Sequence, residues 1–332
     1  MNYFTVVSVL FFLCSMASAI SNNSDGIEDP KFINVLFWNV ENLFDCEDSG
    51  KSDSEKDFLP DGERHWTKGR FWNKINGIYK TIMWTSECCD GQFPDIMGFA
   101  EVENEHVCRT LVHGTLMRKI PYNVVHRDSP DRRGIDVALV YRKDRFLLES
   151  YRIIPVRGTN GTLRTRDILL VSLRSFSSGE LYHFLVNHHP SKFSGSRSSG
   201  KSRMYAMEVL KGVCDSLKTS GEENIVVMGD FNDEPDSPAA KYLGSCLVNM
   251  SDSLAAGGEG TIRYAGEWSM IDMYFVSDYL SKYCSMSIIS PDFLLTEDRK
   301  HSGLKPLRTF SGPLYSGGVS DHLPVLLKIC TE

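Results

Sequence analysis

The chain repeatedly places an acid, an amide or an imidazole at the end of, or inside, a strongly apolar run. Asn39 follows Val35-Leu36-Phe37-Trp38, with Glu41 two residues on. Glu101 follows Ile96-Met97-Gly98-Phe99-Ala100, and His188 and His189 follow Phe184-Leu185-Val186-Asn187. Asp230 and Asn232 close Ile225-Val226-Val227-Met228-Gly229, Asp272 lies within Met270–Val276, and Asp321-His322 stand just before Leu323–Leu327. A buried carboxylate costs several kcal/mol unless it is paired, hydrogen-bonded or bound to a metal. Any one of these residues could be a satisfied structural group. Together they suggest strand ends converging on one site. Carboxylate and amide oxygens bind Mg²⁺ or Mn²⁺, and Glu101 with Asn39 or Glu41 suits such an ion. A histidine beside an acid exchanges protons near neutral pH, and Asp230 could orient or deprotonate a water. That combination points to metal-assisted hydrolysis of a phosphate ester.

The elements that must position these groups are mostly strands. Phe32–Asn39, Asp95–Ala100, Tyr122–Val125, Ile135–Tyr141, Phe146–Ile154, Ile225–Met228, Ile271–Val276 and Pro324–Ile329 read as strands. Ile168–Leu173 and Leu181–Asn187 read as a hairpin around Ser177-Ser178-Gly179. Phe71, Trp72, Ile75, Ile78, Tyr79, Ile82 and Met83 fall at helical spacing, and 202–218 suits a second helix with Met207, Leu210 and Cys214 inward. Asp45–Lys68 is polar and acidic and reads as a lid or mobile loop. Lys192–Gly200, rich in Ser and Gly, reads as a loop. Strands outnumber helices and the two mix along the chain, which favours one sheet-rich α/β or α+β domain over residues 32–330.

The segments Phe37–Asp45, Gly98–Asn104, Arg133–Arg142, Val186–Ser191, Val227–Asp233, Met270–Ser277 and Val319–Val325 resemble the ordered motif set of the endonuclease/exonuclease/phosphatase superfamily. The region around Asp61–Thr67 is similar to exported bacterial members. The resemblance implies a four-layer α/β/β/α sandwich of two packed mixed sheets with the site at one end. It implies Glu101 as principal metal ligand, with Asn39, Glu41 and Asp321 beside it. Asp230 would position the attacking water, Asn232 would donate to the phosphate, and His322, held by Asp272, would be the transition-state histidine. His188 matches a second catalytic position, with Asp128 as its candidate acidic partner. His189 stands where many members carry an aromatic residue, so which imidazole faces the phosphate is open. Arg203 and Trp268 are candidate substrate contacts, and Trp268 could equally pack in the core. Asp136 reads as a partner for Arg133 or Arg203. Lys192, Arg197, Lys201 and Arg203 could contact phosphates or be solvated loop charge.

The net charge of −7 argues against wholesale wrapping of nucleic acid but leaves room for a local basic rim. Residues 1–19 lack Asp, Glu, Lys and Arg, and Ala17-Ser18-Ala19 offers a cleavage site. This reads as a signal peptide cut near Ala19, although its start lacks the usual basic residue, followed by a short extension over 20–31. The expected product is a secreted or periplasmic monomer with no stable protein partner. Its eight remaining cysteines permit disulfides but suit buried thiols equally. The expected activity is a metal-dependent nuclease, an endonuclease above all, acting on DNA or RNA with Mg²⁺ or Mn²⁺ and with Ca²⁺ as a further option. A phospholipid or small phosphoester is the alternative substrate.

Overall fold

Each central strand reads as an unbroken apolar run because it serves two cores at once. The computed structural model describes residues 31–158, 161, 163–192 and 196–331. The expected leader and nearly all of the extension lie outside these residues. Apart from three short two-stranded ribbons, the strands are β1 (Phe32–Leu43), β2 (Ile96–Val102), β3 (Tyr122–His126), β4 (Asp136–Arg142), β5 (Phe146–Ile154) and β6 (Ile168–Ser175), then β7 (Leu181–His188), β8 (Ile225–Asp230), β9 (Val248–Asn249), β10 (Asp272–Val276), β11 (Cys284–Ile288) and β12 (Val325–Cys330). They form two six-stranded sheets, ordered β11-β12-β1-β2-β4-β3 and β5-β6-β7-β8-β10-β9. The β1–β2 and β7–β8 pairs are parallel, and their neighbours are antiparallel.

Side chains alternate across a strand, so one parity faces each side. Ile33, Val35 and Phe37 of β1 meet Val226 and Met228 of β8 and Tyr274 and Val276 of β10 between the sheets. Leu36, Trp38 and Val40 face the other way, onto Phe71, Ile75, Ile78 and Ile82 of α1 (Lys68–Thr85) and Val107 and Leu111 of α2 (Glu105–Gly114). Val227, Met273 and Phe275 pack under Met207, Leu210 and Cys214 of α3 (Ser196–Thr219), with α4 (Pro238–Leu243) alongside. The result is the expected four-layer order, helices outside two packed sheets. The sheets approach closely: a Cβ on Gly98 would sit 2.8 Å from Met228 Sδ, and Tyr274 Oη crosses the interface to donate to Val35 O at 2.8 Å. Thr67 and Asn104 cap α1 and α2 by accepting from Arg70 N and Val107 N.

Three expectations need correction. Asp45–Lys68 is a packed insertion: Phe58 stacks on Phe44 with centroids 4.4 Å apart, and Trp66 Nε1 donates to Phe44 O at 2.9 Å. Its polar composition conceals these aromatics, which bury the segment against the core. The Ser/Gly-rich stretch before residue 202 is already helical from Ser196, because a contact face further along the helix carries weak formers at its start. Asp136 pairs with neither Arg133 nor Arg203, but accepts from Ser129 and faces His126. The cysteines from Cys46 to Cys330 are all free thiols.

Candidate active site

Parallel pairing places the site. The C-terminal ends of β1, β2, β7 and β8 fall on one side, as do the N-terminal ends of the antiparallel β10 and β12. Register then sets the neighbours: Asp230 on β8 lies between His188 on β7 and Asp272 on β10. These three share the parity of Val186, Met228 and Tyr274, so they continue the inter-sheet face as its polar end. Asn39 does the same for β1. His189 has the opposite parity and lies edge-on to Phe231, centroids 4.9 Å apart. Parity separates the two imidazoles: His188 faces the cluster, and His189 lies on the opposite face against Phe231. Gly229 permits this arrangement, since a Cβ there would lie 2.5 Å from Asn187 O.

The cluster is one connected network. Asn39 Nδ2 donates to Asp230 Oδ2 at 3.0 Å, and Asn232 N donates to Asp230 Oδ1 at 2.9 Å. His188 Nε2 lies 3.5 Å from Asp230 and 3.9 Å from Glu101. His322 Nδ1 donates to Asp272 Oδ2 at 2.8 Å, which leaves its Nε2 3.9 Å from Asp230. Ligand atoms of Asp230, Asp272 and His322 lie within 4.8 Å of one another. The His322 backbone is held by two hydrogen bonds, and a third ties its Ser320 partner to β1. Its N–H donates to Ser320 Oγ, Trp38 Nε1 donates to its carbonyl at 2.8 Å, and Ser320 Oγ donates to Asn39 O at 2.6 Å.

The acidic half is similarly built. Arg133 donates to both Glu101 oxygens at 3.2 Å, and Asn42 N donates to Oε2 at 2.9 Å. Glu41 accepts from Thr309 N at 2.7 Å and from Arg308, whose other contact is Asp321 at 2.9 Å. Beneath them the buried Lys74 ammonium donates to Glu41 O and, at 2.6 Å, to Thr309 Oγ1. Glu41, Asn42, Glu101 and Asn232 have φ of 47°, 54°, 62° and 51°. Left-handed backbone at a glutamate costs roughly 1–3 kcal/mol and persists only where the surroundings enforce it. The ladder is irregular at the same places, between Asn39 and Leu43 and between Ala100 and Val102. These bulges aim Glu41 and Glu101 into the cleft.

Burial sets the charges. Asp230 is pushed up to about 7 by burial, with Asp272 adding to the effect. Burial disfavours the charged form of His322, but the Asp272 carboxylate outweighs it and holds the imidazolium well above the ordinary histidine range. His188 is driven well below that range by burial and by Arg166, so it is neutral. Glu41 is pushed up to about 7 by burial and by Asp321. Burial opposes ionisation of Glu101, yet Arg133 keeps its carboxyl below the usual range. The converging ligand atoms are carboxylate oxygens without a thiolate, and repulsion between Glu41 and Asp321 raises a proton affinity that a cation would relieve. This set fits a hard divalent cation.

Several sequence-derived candidates sit differently from their expected roles. Asp128 is exposed and paired with Lys51 at 2.8 Å, so it is not the partner of His188, whose Nδ1 has no hydrogen bond. Arg203 is buried and committed to Asp233 at 3.2 Å and to Pro190 O. Asn232 Nδ2 donates to His189 O at 3.1 Å. Trp268 is half-buried and packs on the helix-side core of the first sheet. Sequence reasoning did not single out Lys74, Arg166 or Arg308. Lys74 carried one signal, a lysine beside the inward positions of α1; the two arginines carried none.

The model of the Endonuclease/Exonuclease/phosphatase family matches residues 34–331. The chain belongs to this family. Curated relatives include nocturnin from Homo sapiens, 26% identical over 252 residues, covering 70% of this chain and 54% of that protein. The chain thus spans about half the length of the curated relatives it matches. Among solved structures, the human nocturnin catalytic domain with bound sulfate superposes with a TM-score of 0.55 at 18% identity, covering 91% of this chain and 95% of that one. A mannosyl-6-phosphatase from Bacteroides thetaiotaomicron gives 0.55 at 16%, covering 89% and 98%. D. rerio TDP2 with a single-strand DNA product gives 0.54 at 13%, covering 90% and 98%. These structural likenesses establish a shared fold.

Proposed function

We propose that this phosphoesterase is a divalent-metal-dependent nuclease, cleaving phosphodiester bonds by in-line attack of water. The observation that carries the reading is the contact chain Asn39–Asp230–His188 with His322–Asp272 across both sheets. Glu101, with Asn39 and the Glu41–Asp321 pair beside it, would hold Mg²⁺ or Mn²⁺. Such an ion, when bound, would polarise a phosphate oxygen and offset developing charge. Asp230, half-ionised near neutrality, accepts a proton from the attacking water. The His322 imidazolium directs Nε2 at the pentacovalent oxyanion, and Asp272 keeps that charge in place. Neutral His188 and the backbone-braced Asn232 line the same cleft and orient the phosphate. Asn39 fixes Asp230 so that its basic oxygen is not lost to rotation.

Nucleic acid is the preferred substrate because a fold neighbour, TDP2, holds a DNA product. A small phosphoester is the second reading, supported by the mannosyl-6-phosphatase neighbour. Export rests on residues 1–19 alone, and N-terminal sequencing of protein recovered outside the cytoplasm tests it. The substrate test is a panel of plasmid DNA, RNA, a chromogenic phosphodiester, sphingomyelin and sugar phosphates, each with Mg²⁺, Mn²⁺, Ca²⁺ or EDTA. Metal-dependent cleavage of DNA or RNA is expected. Turnover of sugar phosphates or lipid without nucleic acid would reverse the ranking, and inactivity throughout would remove the enzymatic reading.

A further inference from the structure

At the outer edge of the first sheet, β3 and β4 bring together a second set of metal-ligating side chains. His126 ends β3, Asp136 opens β4, and Asp128 lies in the connection between them. His126 Nε2 stands 3.5 Å from Asp136 Oδ2. Ligand atoms of His126, Asp128 and Asp136 all lie within 4.8 Å of one another. His126 is only 7% exposed, and its Nε2 is buried without a hydrogen-bond partner. A buried imidazole nitrogen ordinarily finds one. Here it faces the Asp136 carboxylate, with a ligand atom of Asp128 in the same cluster. Ser129 N and Oγ both donate to Asp136 Oδ1, which turns Oδ2 toward the imidazole. A cavity of about 310 Å³ opens over the group, bordered by Asn104, His106 and Arg127. Lys51 Nζ sits 2.8 Å from Asp128 at the cavity mouth.

We propose that His126, Asp128 and Asp136 form a second metal site, taking a divalent ion of the zinc class through one imidazole nitrogen and two carboxylate oxygens. Mixed nitrogen and oxygen donors select such an ion over Mg²⁺, and three protein ligands leave a fourth position for water from the cavity. The site clamps both ends of the 127–135 connection. That connection carries Asp131, which holds Arg166 at 3.0 Å, and Arg133, which holds Glu101. An ion there braces the segment that positions the acidic half of the catalytic cleft. Lys51 competes for Asp128 and is displaced on binding. The proposal is independent of which phosphoester the enzyme hydrolyses.

The test uses metal-stripped full-length protein and ZnCl₂, with stoichiometry from native mass spectrometry and affinity from competition with a chromophoric chelator. The Glu101→Gln, Asp272→Asn, His322→Ala triple variant serves as background, because the catalytic groups could bind zinc themselves. One zinc equivalent is expected to remain in this background. Adding Asp128→Asn, an exposed change that leaves the core intact, should weaken it at least about tenfold, since even loss of an indirect ligand contact costs 10- to 100-fold. Adding His126→Gln should abolish it, with folding checked by circular dichroism, and Lys51→Ala should tighten it. With Co²⁺ in place of Zn²⁺, visible absorption bands of a tetrahedral ion should vanish with His126→Gln. Absence of a zinc equivalent in the background variant, or unchanged affinity after Asp128→Asn, would overturn the proposal.

Discussion

Replacing Asp272 by Asn tests the charge arrangement most directly. The carboxylate lies 2.8 Å from His322 Nδ1 and is buried. Two unit charges at that distance attract by roughly 6 kcal/mol at an effective dielectric constant of about 20. The Asn amide oxygen can still accept from Nδ1, which recovers part of this, so a net loss of roughly 2–4 kcal/mol remains. At 1.36 kcal/mol per tenfold, the variant should lose roughly 30- to 1,000-fold in the equilibrium constant for protonating His322, so much less of it is charged at pH 8. The sign follows from the direction of the shift. Asp272 holds the imidazolium above its ordinary range, so its contribution is complete at low pH and disappears as pH rises through the elevated value. Asp272→Asn should therefore leave a defect that is large at pH 8 and shrinks toward pH 6, where an unassisted histidine begins to protonate. The assay is kcat/KM from pH 5.5 to 9.5 on a chromogenic phosphodiester with saturating Mg²⁺. A loss that is equal at every pH, or no loss, would refute the assignment of His322 as the charged transition-state donor.

Asp230→Asn should cut kcat by at least about a hundredfold and remove the wild-type rise in rate as pH passes through about 7, read from the same profiles. Glu101→Gln should raise the Mg²⁺ concentration needed for half-maximal activity by tenfold or more, and EDTA should silence the wild-type enzyme until Mg²⁺ or Mn²⁺ is restored. Trp66→Ala should cost roughly 3–5 kcal/mol of stability, because the indole is fully buried among Phe58, Phe310 and Tyr315. Urea unfolding checks this, and a change within error would mean that the 45–68 insertion is not held by its aromatics.

The sequence by itself determined the strand runs and the identity of the chemical groups at their ends. Short apolar runs and helical spacing are local properties, so β1, β8 and α1 were legible without coordinates. The same holds for Glu101, Asp230 and His322, because a charge beside an apolar run is conspicuous wherever it falls. Tertiary structure decided which groups meet. Arg308 reaches Glu41 across 267 residues, and Lys74 reaches Thr309 across 235. No local pattern carries such a pairing, since it depends on sheet order and on how two sheets stack. The choice between His188 and His189 lay between the two: alternation says that they face opposite ways, but only the packing of Phe231 shows which side is core. The aromatic staple of residues 44–66 was hidden by the polar residues around it, because composition averages over exactly the few side chains whose burial holds the segment down.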